Sequence, residues 1–153
     1  MTEEYDYIIA GAGSAGSVLA DELSKNGQHR VLVLEAGGYD NWVWFKVPVG
    51  YLFAIGNSRA DWRFQTQPEA GLGGRSLNYP RGKVIGGSSA INAMIYMRGQ
   101  AADYDSWRDQ GLNGWGWDDV FPIFKKQEDF HAGASESHGA GGPLRVEPPR
   151  VRW

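Results

Sequence analysis

The chain has 153 residues, no cysteine and a formal net charge of −3, with 42% hydrophobic and 22% charged residues. This composition excludes a disordered segment, a disulfide framework, a thiolate metal site and thiol chemistry. With no basic block to neutralise phosphates, it also excludes a nucleic-acid surface.

The length suits one domain, able to bury about 68–70% of its unfolded surface. The acidic start, MTEEYDYIIAG, has neither a basic leader nor an apolar one, and no apolar run approaches a membrane span. A cytoplasmic protein without a transmembrane segment is expected.

Tyr7-Ile8-Ile9-Ala10 is a short apolar run of the kind found in buried parallel strands. Gly11-Ala12-Gly13-Ser14-Ala15-Gly16 breaks it, and a helical pattern follows from Ser17 to about Asn26. Val18, Leu19, Ala20 and Leu23 share one side of that helix, and Gly27 is placed to stop it. Arg30-Val31-Leu32-Val33-Leu34 reads as a second strand, followed by Glu35-Ala36-Gly37-Gly38. Strand, glycine turn, helix and strand make a right-handed βαβ unit.

Gly11, Gly13 and Gly16 form G-x-G-x-x-G in the context that motif requires. The first glycine permits the tight turn, the second lets backbone approach a pyrophosphate, and the third lets helix and strand pack closely. Free N–H groups at the helix start complete an anion site. Glu35, at the end of the second strand, is positioned for the adenosine ribose hydroxyls and disfavours a 2′-phosphorylated cofactor. A dinucleotide is therefore expected on Gly11, Ala12, Gly13, Ser14, Ala15, Gly16, Glu35 and Ala36. The motif leaves NAD and FAD both open.

Residues 39–80 carry aromatics and turn formers without a sustained period, and read as a long surface excursion or lid. Trp42, Trp44 and Tyr51 there either pack the core or lid or line a substrate passage. The stretch RGKVIGGSSAINAMIYMRG, residues 81–99, places two glycines and two serines inside an apolar run. An apolar helix is predicted over 86–97, capped by Ser88-Ser89. Further helices are predicted over 101–109 and 118–128, with a glycine/serine loop over 131–143. Asp103, Asp105, Asp109, Asp118 and Asp119 fall on these helices, where dipole or solvent contacts account for them better than paired-carboxylate catalysis.

His29, His131 and His138 are the only histidines. His29 is expected at the surface, and His131 and His138 lie in the glycine-rich loop without nearby carboxylate spacing. No metal site is expected. The chain closes on PPRVRW without a capped helix or polar tail, which reads as part of something longer.

Gly82-Lys83-Val84-Ile85-Gly86-Gly87-Ser88-Ser89-Ala90-Ile91-Asn92, followed by Tyr96, Gly99 and Asp105, resembles the first signature of the glucose–methanol–choline (GMC) oxidoreductases. YDYIIAGAGSAGSVLA, LEAGG and WGWDDVFPIFKKQED are similar to the same family, and bacterial alkanol and choline dehydrogenases look nearest. The resemblance implies an α/β fold: a Rossmann-type FAD-binding βαβ unit of a discontinuous FAD domain, with the excursion and extra helices added. It also implies FAD as cofactor, contacted further by Arg81, Gly82, Val84, Gly86, Gly87, Ser88, Asn92, Ala93, Met94 and Ile95. Asn92 and Ala93 would lie beside the isoalloxazine. Some relatives attach FAD through a histidine just before this asparagine; Ile91 stands there, so noncovalent FAD is expected.

The implied activity is oxidation of a primary alcohol to an aldehyde, with hydride passing to flavin N5. The family's catalytic histidine, with its histidine or asparagine partner, would lie beyond residue 153, together with the substrate domain, on a C-terminal part present as further sequence or as a separate chain. No catalytic residue is assigned here. A stand-alone dinucleotide-binding module without catalysis is the alternative.

Overall fold

The computed structural model describes residues 3–149. The chain divides after Ile95 into two units.

In the first unit, β1 (Tyr7–Ala10), α1 (Ser14–Ser24) and β2 (Val31–Leu34) form the expected βαβ unit. The strands pair in parallel, with Tyr7 opposite Val31 and Ala10 opposite Leu34. The helix begins three residues earlier than the apolar pattern indicated, because Gly13 supplies the non-helical residue ahead of it. Gly27 stops it with a left-handed φ of +69°, and its N–H reaches the Ser24 carbonyl. Of the apolar residues expected on one side, Ala20 and Leu23 are half-buried, whereas Val18 and Leu19 are exposed.

The stretch read as a surface excursion supplies much of this unit's interior. Ala54 and Ala60 are fully buried and cluster with Ile91, covered by Trp42, Phe45 and Ala90. The segment folds into a string of short turns, the one-turn helix α2 (Tyr51–Ala54), and a hairpin of β3 (Phe64–Gln65) and β4 (Asn78–Tyr79). Small residues allow this: aromatic side chains close over a tight backbone rather than over a broad apolar face.

The helix expected over 86–97 does not form. A single 3-10 turn spans Gly87–Ala90, and an irregular path follows. Gly86 and Gly87 both have positive φ, and so does Met94 at +56°, so the right-handed helix is broken at both ends of the apolar run. Ser88 and Ser89 cap nothing. The Ser88 Oγ accepts from the Gly82 N–H, and the Ser89 Oγ donates to the Gly86 carbonyl.

The second unit contains α3 (Ala101–Asp109), α4 (Trp117–Gln127) and the parallel pair β5 (Glu128–Phe130) and β6 (Leu144–Val146). Asp103 accepts from the Gln100 N–H and Asp119 from the Gly116 N–H, so these acids secure the helix starts. Tyr104 gathers Trp107, Trp117 and Phe124 at ring-centroid distances of 5.4–5.7 Å. His138 departs from the sequence reading. It stacks on Phe130 and its Nδ1 lies 3.0 Å from the Glu128 carboxylate. Ten residues separate the two, so linear spacing hid the pair.

Candidate functional site

The first glycine cluster and the 81–88 segment meet backbone to backbone. Ala12 is the junction: its N–H donates to Glu35 Oε2 at 2.7 Å, and its carbonyl accepts from the Gly86 N–H at 2.8 Å. Glu35 Oε1 accepts from the Gly37 N–H at 2.7 Å. Each carboxylate oxygen thus uses one backbone donor and keeps lone-pair capacity for a ligand hydroxyl. Glu35 therefore fixes the glycine loop as well as facing the cleft beside it.

Close approach explains two of the glycines. A Cβ on Gly16 would lie 2.0 Å from the Gly11 carbonyl oxygen, so helix and strand could not pack. A Cβ on Gly87 would lie 2.8 Å from Gly13 Cα. Gly87 is a glycine because the apolar run crosses the first glycine loop there, whereas Gly86 answers to its left-handed φ of +92°.

A cleft of about 680 Å³ opens at this crossing. Gly11, Gly13, Ser14, Ala15 and Gly16 line it from the loop and the start of α1. Glu35 and Ala36 line it from the end of β2, and Arg81, Gly82, Gly87 and Ser88 from the second segment. The N–H groups of Ser14, Ala15 and Gly16 have no intrahelical acceptor, and α1 has neither a side-chain cap nor an acidic first turn. These donors and the positive helix end are thus available to an anion. The remaining expected residues lie elsewhere. Ala12 and Gly86 hold the crossing, Val84 is buried, and Asn92, Ala93, Met94 and Ile95 are exposed and off the cleft wall.

Sequence reasoning missed Asp61, Trp62 and Phe64. Trp62 and Phe64 line the same cleft. Asp61, 3% exposed, accepts from the backbone N–H groups of Gly56, Arg63 and Arg81. Burial alone would raise its pKa, but those three donors and the Arg63 charge outweigh it and hold the carboxyl below its ordinary value. No spacing rule marked the pair: Arg63 between them is left-handed at φ +55°, so the two-residue alternation of a strand does not hold there. Trp42 packs on the core and Trp44 stacks on Phe53 at 4.0 Å, so both serve packing.

A family model described as GMC oxidoreductase matches residues 5–152. The chain belongs to the GMC oxidoreductase family. Among its relatives, the oxygen-dependent choline dehydrogenase of Photobacterium profundum is 49% identical over 94% of this chain and 25% of that protein. The oxygen-dependent choline dehydrogenase of Vibrio vulnificus is also 49% identical, over 94% of this chain and 26% of that protein. Among solved structures, pyridoxine 4-oxidase from Mesorbium loti is 41% identical with a TM-score of 0.85, covering 95% of this GMC chain and 29% of that one. The chain spans about a quarter of the length of the curated relatives it matches. Among the described residues, no helix is long and apolar enough to cross a membrane.

Proposed function

We propose that this chain is the FAD-gripping part of an oxidoreductase acting on the CH–OH group of a primary alcohol. The observation that carries the reading is the crossing of two glycine segments at the bare N-terminus of α1, beside a carboxylate at the end of β2. The fit is chemical: free N–H donors face an anionic group, and a carboxylate with spare lone pairs faces sugar hydroxyls. Membership of the GMC family selects FAD over NAD.

Gly11, Gly13 and the N–H groups of Ser14, Ala15 and Gly16 hold the pyrophosphate, and Glu35 the ribose. Gly82, Gly87 and Ser88 close the second side, with Arg81 adding positive charge. Asn92, Ala93, Met94 and Ile95 reach the flavin ring only along the irregular path after Ala90. When bound, FAD supplies the hydride acceptor, N5 of its ring. Ile91 has no nucleophilic atom and is 3% exposed in the core cluster, which supports noncovalent attachment.

No histidine lines the cleft. We assign the base that takes the alcohol proton, and the substrate domain, to the length of the relatives that this chain does not cover, supplied as further sequence or as a companion polypeptide. Of residues 39–80, Trp62 and Phe64 border the cofactor cleft, while Trp42, Phe45, Ala54 and Ala60 pack the interior.

The test is an absorption spectrum of the purified protein with a denaturing gel and acid precipitation. Flavin bands whose colour passes to the supernatant, with turnover of a primary alcohol in the presence of the companion polypeptide, are expected. Flavin without turnover would leave only a binding module. A protein that takes up no FAD refutes the reading.

A further inference from the structure

Asparagine followed by glycine occurs twice in the chain, at Asn26-Gly27 and Asn113-Gly114. The fold restrains one pair and leaves the other free. The Gly27 N–H donates to the Ser24 carbonyl at 2.9 Å. The Asn26 amide is engaged at both atoms: its Oδ1 accepts from the Gln28 N–H at 3.0 Å, and its Nδ2 donates to Gln28 Oε1 at 3.2 Å.

Asn113-Gly114 lies between α3 and α4. The Trp115 N–H donates to the Leu112 carbonyl at 3.2 Å, so Asn113 and Gly114 are the central residues of a β-turn. Gly114 has φ +84°, and Asn113 is not among the non-glycine residues at positive φ, a combination that defines a type II turn. The Gly114 N–H meets no acceptor among the described residues. Asn26, Asn41, Asn57, Asn78 and Asn92 each make a side-chain hydrogen bond. The Asn113 side chain makes none among the described residues, and both it and Gly114 are exposed.

We propose that Asn113 is a modification site, where the Asn113-Gly114 pair closes spontaneously to a succinimide and opens to isoaspartate or aspartate. Glycine has no side chain to block its own nitrogen from the preceding amide carbon. The Gly114 nitrogen bonds to Asn113 Cγ, and the Cγ–Nδ2 bond breaks. Ammonia leaves with the proton of the Gly114 N–H. Water then adds across one of the two C–N bonds of the imide: opening at the backbone carbonyl gives isoaspartate, opening at Cγ gives aspartate. The sum is amide and water giving carboxylic acid and ammonia, with no oxidant or cofactor involved. At Gly27 the proton that must leave is held by the Ser24 carbonyl, and the Asn26 amide is pinned away from attack. Isoaspartate routes the backbone through Cβ and Cγ and puts a negative charge in the turn. That lengthened turn would loosen Trp115, whose ring meets Trp107 at 6.2 Å.

The test incubates the purified protein at mildly alkaline pH, native and in denaturant. Peptide mapping by mass spectrometry follows the exchange of NH2 for OH at each pair, and methyl transfer by an isoaspartyl carboxyl methyltransferase counts the isoaspartate. In the native protein Asn113 should convert about tenfold faster than Asn26, the factor that one or two intact hydrogen bonds represent. In denaturant the two should convert at similar rates, and Asn113→Ser should remove most of the native methyl acceptance. Equal native rates at the two pairs would overturn the proposal. So would an Asn113 that stays intact in the native protein while it converts in denaturant.

Discussion

Replacing Gly87 by alanine tests whether the two glycine segments are held by direct backbone contact. Gly87 has φ +56°, and a Cβ there would lie 2.8 Å from Gly13 Cα. The left-handed backbone alone costs alanine roughly 1 kcal/mol. The clash is with backbone, not with the tip of a flexible side chain, and forcing the extra carbon in adds roughly 1–3 kcal/mol. The expected loss is therefore about 2–4 kcal/mol. Gly27→Ala is the matched control, since φ is +69° but nothing lies within 4 Å. It should lose only about 1 kcal/mol. Chemical denaturation reads both losses, and flavin fluorescence reads FAD affinity. Relief of the clash must move Gly13, which lines the cleft, so Gly87→Ala should also weaken FAD while Gly27→Ala should not. Equal stability losses, with FAD affinity intact in Gly87→Ala, would refute the reasoning.

Glu35→Gln keeps one acceptor but turns an NH2 group toward the Ala12 or Gly37 N–H. One donor is left unsatisfied, at roughly 1–3 kcal/mol, and FAD should weaken in a titration; an unchanged affinity would remove Glu35 from the site. In the second unit Glu128 is fully buried, and burial alone would raise its pKa, but the Gly139 N–H, His138 and Arg98 hold it below its ordinary 4.5. A carboxyl depressed by folding gives stability that is complete above its unfolded value and lost as pH falls through the folded one. Acid melts should therefore show destabilisation setting in below pH 4.5, and Glu128→Gln should flatten that dependence. The same substitution deprives Arg98, whose side chain is 13% exposed and 2.6 Å from Glu128, of its counter-ion, at a cost of roughly 3–5 kcal/mol in denaturant titrations. Residues 1–153 alone should aggregate in light scattering, because Ile8 and Leu34 on the two-stranded sheet are 64% and 54% exposed; a monomer that melts cooperatively would refute this.

The parts of the fold readable in the sequence are those built from neighbours along the chain. The βαβ unit needs only an apolar run, a glycine turn and a 3.6-residue pattern within about thirty residues. The helix over 101–109 was legible as it stands, and the one read over 118–128 lies one residue earlier, at Trp117–Gln127; in both, Asp103 and Asp119 act only three residues away, on Gln100 and Gly116. The strands at 128–130 and 144–146 were not, since three residues carry no period and their register depends on each other. The clamp on Asp61 joins N–H groups from positions 56, 63 and 81. No local rule marks that aspartate as different from the acids of α3, whose partners lie on or beside their own helix. The cleft divides in the same way: the glycine loop and Glu35 follow from motif spacing, whereas Trp62 and Phe64 reach it only through the hairpin that Asp61 fixes.

The failed helix over 86–97 shows what periodicity leaves out. Apolar residues at helical spacing record which side chains avoid water, but not the sign of φ. Only Arg63 and Met94 are non-glycine residues at positive φ among the described residues. Each stands two positions after an Asx side chain that accepts its N–H: Asp61 to Arg63 at 2.8 Å, Asn92 to Met94 at 2.8 Å. That local hydrogen bond competes with a helical one and offsets the strain of a left-handed residue. Gly86-Gly87 breaks the helix at one end and Asn92-Ala93-Met94 at the other, so the polar residues inside the apolar run are its punctuation. The same residues that look misplaced on a helix are the ones that let this segment turn against the glycine loop and leave it again.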